Sequence, residues 1–334
     1  MTRQPRVSNE SNISNFVKKV ILTDYPDMHF ETAVNFVSKA FDSTVLLTTS
    51  ENDLNSWYQN NFKPNIFLLD EQEYTEATIQ SLRIQFLIAG TDFGTTRQRD
   101  LGQKWSDTIR GYLGELGVKQ VLKNKFNIDI ELGHEEGTLE EYLPTDIHMV
   151  KSINDFDYRK PNINVSIKTA KSNGIWLDIP GEQFSKSDVY IFALIGVEVD
   201  HLFSFFKHIS VFKDKILKKG IDANCINEDE ANVIFNKIPS FNKVYGYIPG
   251  IITKDINPNS FSYEGKMGRS TYKIKNWSGK YMSEYLNQIK NEFSASKVEF
   301  EGIGSFSQNN RHIFGLKSLE FNHQFWNQHL ISRL

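Results

Sequence analysis

The chain has 334 residues, 39% of them hydrophobic and 13% aromatic, with 25 phenylalanines; that is enough apolar material for a sizeable core and excludes wholesale disorder. Its formal net charge of −3 advertises no polyanionic partner, so a nucleic-acid enzyme built on it must gather positive charge on one face. A single cysteine, Cys225, rules out an internal disulfide and a Cys-x-x-Cys zinc pair, the first fifteen residues are polar, and no run of 18 apolar residues occurs, so the expected setting is a reducing cytoplasm with no membrane partner.

Residues 1–95 read as an N-terminal α/β element without chemistry of its own. A helix is expected over Phe30–Ala40, short strands over residues 44–48 and 65–69, and a helix from about Thr75 into Gln85. A stronger helix starts near Leu101, where Trp105, Ile109, Tyr112, Leu113, Leu116, Val121 and Leu122 recur on one stripe and demand burial. Residues 129–141 read as loop or as a strand with its turn, and strands follow over 145–150 and 162–169. In the second of these, Ile163, Val165 and Ile167 alternate with Asn164, Ser166 and Lys168, the period of a strand with one apolar face. A short strand at 175–177, a turn at 179–181 and a short helix at 182–187 lead into VYIFALIGV, an unbroken apolar run suited to a strand buried on both faces. One helix is expected from His201 to its stop at Gly220. Residues 96–220 thus form the expected core, and 221–334 a β-rich region suited to recognition, with strands in KVYGYIPGIIT, FSYEG and STYKIKNW, a helix over 280–293 and a strand in KVEFEGIGSF. The fold class is α/β, a mixed central sheet flanked by helices, with an N-terminal α/β extension and a β-rich C-terminal region.

Cleaving a phosphodiester requires an activated water, neutralisation of charge at the phosphate, and help for the leaving oxygen. Carboxylates holding a hard divalent cation, with a lysine beside them, supply these. The chain offers Pro144-Thr145-Asp146 at one strand start and, 22 residues after Asp146, Lys168 in Ser166-Ile167-Lys168. The preceding helix carries Glu115 in GELG. These segments resemble the PD-(D/E)XK nucleases, and within them the type II restriction endonucleases, over about residues 100–210. The chain departs from that pattern at Ser166, where the family has an acidic residue. It is similar there to enzymes cutting CCGG-centred sites, which carry Ser-x-Lys and a displaced glutamate after thirteen intervening residues; here that glutamate is Glu182.

The resemblance implies a Mg²⁺-dependent, sequence-specific endonuclease on double-stranded DNA that leaves 5′-phosphates. It further implies a homodimer and a DNA methyltransferase as genetic partner. It assigns Asp146, Glu182 and the Ile167 carbonyl to the metal, Lys168 to the attacking water, and Glu115 to orienting Lys168 or a second water. Asp178 and Asp188 stand close enough in sequence to replace Glu182. Each residue also has a plainer reading. Asp146 can begin a strand, Lys168 can be a solvated position, Glu115 a surface residue, and Glu182 a helix-dipole partner. A structure-directed repair nuclease or an inactive DNA-binding relative would share the same core. Lys207, Lys213, Lys215, Lys218 and Lys219, the strand residues Lys266, Arg269, Lys273 and Lys275, and Arg97 with Arg99 are candidate DNA contacts or ordinary surface positions. His134 and His148 lack the partners of a histidine-metal nuclease.

Overall fold

The structure is a computed structural model that describes residues 13–40, 50–85, 100–133, 145–198, 200–255, 261–300 and 311–334. The expected strand at 44–48, Arg97, Arg99, His134, Pro144 and the end of KVEFEGIGSF lie outside the described residues. The chain is mixed α/β with several sheets. Among the described residues, no helix is long and apolar enough to cross a membrane.

The N-terminal segment gives α1 (residues 13–24), α2 (Phe30–Ala40), α3 (residues 51–65), β1 (Ile66–Leu69) and α4 (Glu71–Ile84). Two of these helices start at reciprocal caps, Ser50 with Asp53 and Asp70 with Glu73, which satisfy amide groups that a first helical turn leaves bare. Next come α5 (Leu101–Phe126), β2 (Ile128–Leu132), β3 (Ile147–Ser152), β4 (Val165–Lys171), β5 (Trp176–Pro180), α6 (Gly181–Phe184) and β6 (Val189–Ile195). The Asp100 carboxylate caps α5, and Asn127, in the left-handed region at φ 55°, ends it.

Two expectations change here. Residues 179–181 do not turn: β5 runs on to Pro180, because Arg311–Gly315 pairs with it along its whole length. The single helix from His201 to Gly220 is two, α7 (His201–His208) and α8 (residues 212–222), broken where Ser210 takes φ 62°. The chain continues through α9 (Glu228–Lys237), β7 (Val244–Thr253), β8 (Ser262–Met267), β9 (Thr271–Ser278), β10 (Lys280–Met282), α10 (Ser283–Glu292), β11 (Lys297–Phe300), β12 (Arg311–Gly315) and α11 (His323–His329).

The central sheet has the order β1-β7-β6-β4, with β4 parallel to β6 and the other pairs antiparallel. It therefore takes strands from all three segments, 1–95, 96–220 and 221–334, and β7 from the last lies in its interior. Every residue of β6 is buried, as the unbroken apolar run requires. Val189, Ile191 and Ala193 pack on one side with Ile109, Leu113 and Val121 of α5 and with Trp326 of α11. Tyr190, Phe192 and Leu194 pack on the other with Val17, Phe36 and Phe62 of α1–α3.

Smaller sheets border this one. β2 and β3 form an antiparallel pair. β5, β12 and β10 form a second sheet beside β4, and β8, β9 and β11 a third.

Candidate active site

The site is built where β3 begins against the edge of β4. Among the described residues no strand ladder joins them at this point; one backbone hydrogen bond and two side chains stand in for it. The Thr145 hydroxyl accepts from Val165 N–H at 3.1 Å, and the Asp146 amide donates to the Val165 carbonyl at 2.7 Å. One oxygen of Asp146, Oδ2, then accepts the Ile167 N–H at 2.5 Å and the Ser166 hydroxyl at 3.3 Å. The Thr-Asp pair thus fixes the carboxylate to β4 through the backbone. Because the N–H and C=O of one strand residue leave on the same edge, the Ile167 carbonyl lies along this edge as well.

Glu115 arrives from the middle of α5, and two glycines let it come close. A Cβ on Gly114 would collide with Thr169 Cγ2 on β4, and one on Gly117 would collide with the Phe67 ring on β1. With hydrogen in both places the helix lies directly on the sheet, and the half-buried Glu115 between them is walled in by protein. Lys168, two residues beyond Ser166 on β4, donates to Gln183 Oε1 at 3.1 Å.

Glu115, Asp146 and Lys168 lie within one another's electrostatic reach. Burial pushes the Glu115 carboxyl well above its ordinary range, and the neighbouring Asp146 pushes it further, against the pull of Lys168. Burial also raises Asp146, opposed by Lys168, the Ile167 amide and the Ser166 hydroxyl. Two crowded carboxylates that resist ionisation, with an ammonium beside them, are a setting that a cation relieves.

Of the residues singled out in the sequence, the fold brings together Glu115, Asp146, Ile167 and Lys168. The backbone of Glu182 lies in α6, next to Gln183; its side chain is outside the described set. The two alternative aspartates part company. Asp188 is committed elsewhere, bonded to Lys254 at 2.6 Å and accepting the Asn164 amide at 2.9 Å. Asp178 lies in the field of Lys168, takes Arg311 at 2.7 Å on Oδ2, and keeps Oδ1 buried with no hydrogen-bond partner among the described residues. Among the described residues, no three His, Cys, Asp or Glu side chains gather in the manner of a metal centre, so the carboxylates drawn together here number two.

Sequence reasoning missed Gln183 and Arg311. Gln183 follows a flagged residue and carried no signal of its own; Arg311 meets Asp178 across 133 positions, beyond any local pattern. Among the flagged lysines, Lys207 is occupied internally, donating to the Ile238 carbonyl at 2.6 Å, whereas Lys213, Lys215, Lys218 and Lys219 are exposed. On the outer sheet Lys266 faces Lys273 across the β8–β9 register while Tyr272 and Ile274 fill its core, so the basic and aromatic residues there divide by face. No protein family, curated protein or solved structure matches the chain.

Proposed function

We propose that this chain is a type II restriction endonuclease that hydrolyses double-stranded DNA at a specific sequence with Mg²⁺, leaving 5′-phosphates. The observation that carries the reading is the convergence of Asp146, Glu115 and Lys168 on the edge of β4, with Asp146 anchored by the amide of the residue between Ser166 and Lys168. The element order supports a PD-(D/E)XK core: a helix, two antiparallel strands, a third strand, and a strand parallel to the third.

The residues present suit a hard cation, because two carboxyl groups crowd a site where neither ionises readily without one, and a backbone carbonyl shares its edge. Asp146, the Ile167 carbonyl and Glu182 are the proposed holders of Mg²⁺, which when bound supplies Lewis acidity at the phosphate. Lys168 orients the attacking water and carries positive charge to the transition state; Gln183 holds its ammonium in place. Glu115 orients Lys168 or a second water. Ser166 takes the position of the family's acid, and its hydroxyl contact with Asp146 fits a serine that supports the first carboxylate. A homodimer reading a two-fold DNA site, and a methyltransferase guarding that site, complete the proposal.

Incubation with phage DNA and Mg²⁺, followed by sequencing of the ends, tests the reading: discrete fragments with constant end sequences are expected. Nicking confined to branched or mismatched DNA would point to a repair nuclease instead. Lys168→Ala should lose cleavage by at least about a hundredfold while keeping DNA affinity within about twofold, since the lysine acts on the transition state. Asp146→Ala should lose both cleavage and the Mg²⁺ response.

A further inference from the structure

The β5–β12–β10 sheet brings a second cation to the site from the far end of the sequence. Arg311 opens β12, opposite Pro180 at the end of β5, and its Nη1 donates to Asp178 Oδ2 at 2.7 Å. The guanidinium is largely covered, with 18% of its side chain exposed. Its partner is badly served. Asp178 lies in the electrostatic field of both Arg311 and Lys168, yet burial still raises its carboxyl above the ordinary range, and its Oδ1 is buried without a hydrogen bond from the described residues. A salt bridge built for stability satisfies both carboxylate oxygens, since a buried acceptor left without a donor keeps its full desolvation cost. Here a planar five-donor cation is held beside the candidate catalytic lysine by an acceptor left half used.

We propose that Arg311 is a phosphate-binding residue of the candidate active site, contacting a DNA backbone phosphate next to the scissile one, and that Asp178 is the positioning residue that aims it. This rests on the nuclease reading above and extends it to the phosphates the site grips. A guanidinium matches two oxygens of a phosphodiester with two parallel N–H bonds, which fixes orientation as well as supplying charge, whereas a lysine acts as a point charge. Arg311 exchanges part of its hold on Asp178 for the phosphate, and the neighbouring carboxylate keeps the fork in plane.

The test measures binding of a short duplex over a range of salt without divalent ion, and cleavage with Mg²⁺, for the wild type, Arg311→Lys, Arg311→Gln and the double variant Asp178→Asn/Arg311→Gln. The double variant removes both charges while keeping both shapes, so it guards against simple failure to fold. Arg311→Gln and the double variant are expected to lower the slope of log affinity against log salt by about 0.9, one phosphate contact, and to slow cleavage tenfold to a hundredfold. Arg311→Lys should restore the slope but not the cleavage rate, because it returns the charge without the fork. If the wild type cleaves and Arg311→Gln matches it in slope and rate while melting lower, the pair is scaffold and the inference falls, leaving the nuclease reading intact. A wild type that binds no duplex at any salt overturns both.

Discussion

Ser166 shows how one side chain decides the character of its neighbours. An acid at that position would stand against Asp146, whose carboxyl burial already resists ionising; the hydroxyl there donates to Asp146 instead. Glu115 has no such donor among the described residues and is raised further by Asp146. The folded state therefore holds a proton on Glu115 that the unfolded chain releases at the ordinary carboxylate value. Its contribution to stability is present below that value and is lost as pH rises from there through the raised one. Glu115→Gln, which mimics the protonated form, should raise the melting temperature of the metal-free protein at neutral pH, flatten its decline across the acidic range, and weaken the response to Mg²⁺. Calorimetry over a pH series with and without the ion checks all three. Asp146, Lys168 and Glu115 could be singled out in the sequence because the segments that carry them, PTD, SIK and GELG, resemble a family's pattern. Arg311 and Gln183 were not, because their roles exist only once β12 lies on β5 and α6 lies under Lys168.

Among elements, α5 has the most to do. Its buried stripe was readable from periodicity, and Ile109, Leu113, Leu116, Val121 and Leu122 are buried as expected. What periodicity hides is that Gly114 and Gly117 set the distance between helix and sheet. Gly114→Ala should destabilise the protein by about 1–3 kcal/mol, since the added methyl meets Thr169 and the helix must lift. Denaturant titration measures the loss, and Thr169→Ser, which removes the methyl in the way, should recover part of it. A second constraint on α5 is His201, whose ring bridges Ser106 of α5 at 2.9 Å and the Tyr74 hydroxyl of α4. Burial, with Arg110 and Lys171 nearby, pushes the imidazole down from 6.5 to about 4. A group depressed in this way stabilises the fold fully above pH 6.5 and loses that contribution as pH falls toward 4. His201→Gln should therefore flatten the acid limb by at most about 3 kcal/mol, since each tenfold change in proton affinity is worth about 1.36 kcal/mol. The urea midpoint compared at pH 7 and pH 4.5 tests it.

At the scale of the whole molecule, the α/β class was legible and the sheet order was not. Alternation marked β4, an unbroken apolar run marked β6 and a β-rich stretch marked β7, yet nothing local says that β7 pairs with both β1 and β6. Those partners lie far away along the chain, with the helices α7–α9 intervening between β6 and β7. The change of pattern across residues 221–241 suggested a smaller domain or an extension of the sheet, and hydrogen bonding carries the central sheet across that stretch to β7. Truncation after residue 220 should leave β1 and β6 with open edges and half their core uncovered. Circular dichroism should then show no cooperative melt, and the fragment should aggregate.

The interior place of β7 also sets when the central sheet can close during synthesis. The strand that joins β1 to β6 emerges from the ribosome after Asp146 and Lys168 have long been exposed, and β12, which braces β5, emerges later still. A nascent chain interrupted before β7 thus carries Asp146 and Lys168 without the strands that align them, and if the proposed nuclease reading holds, cutting waits until the central sheet has closed.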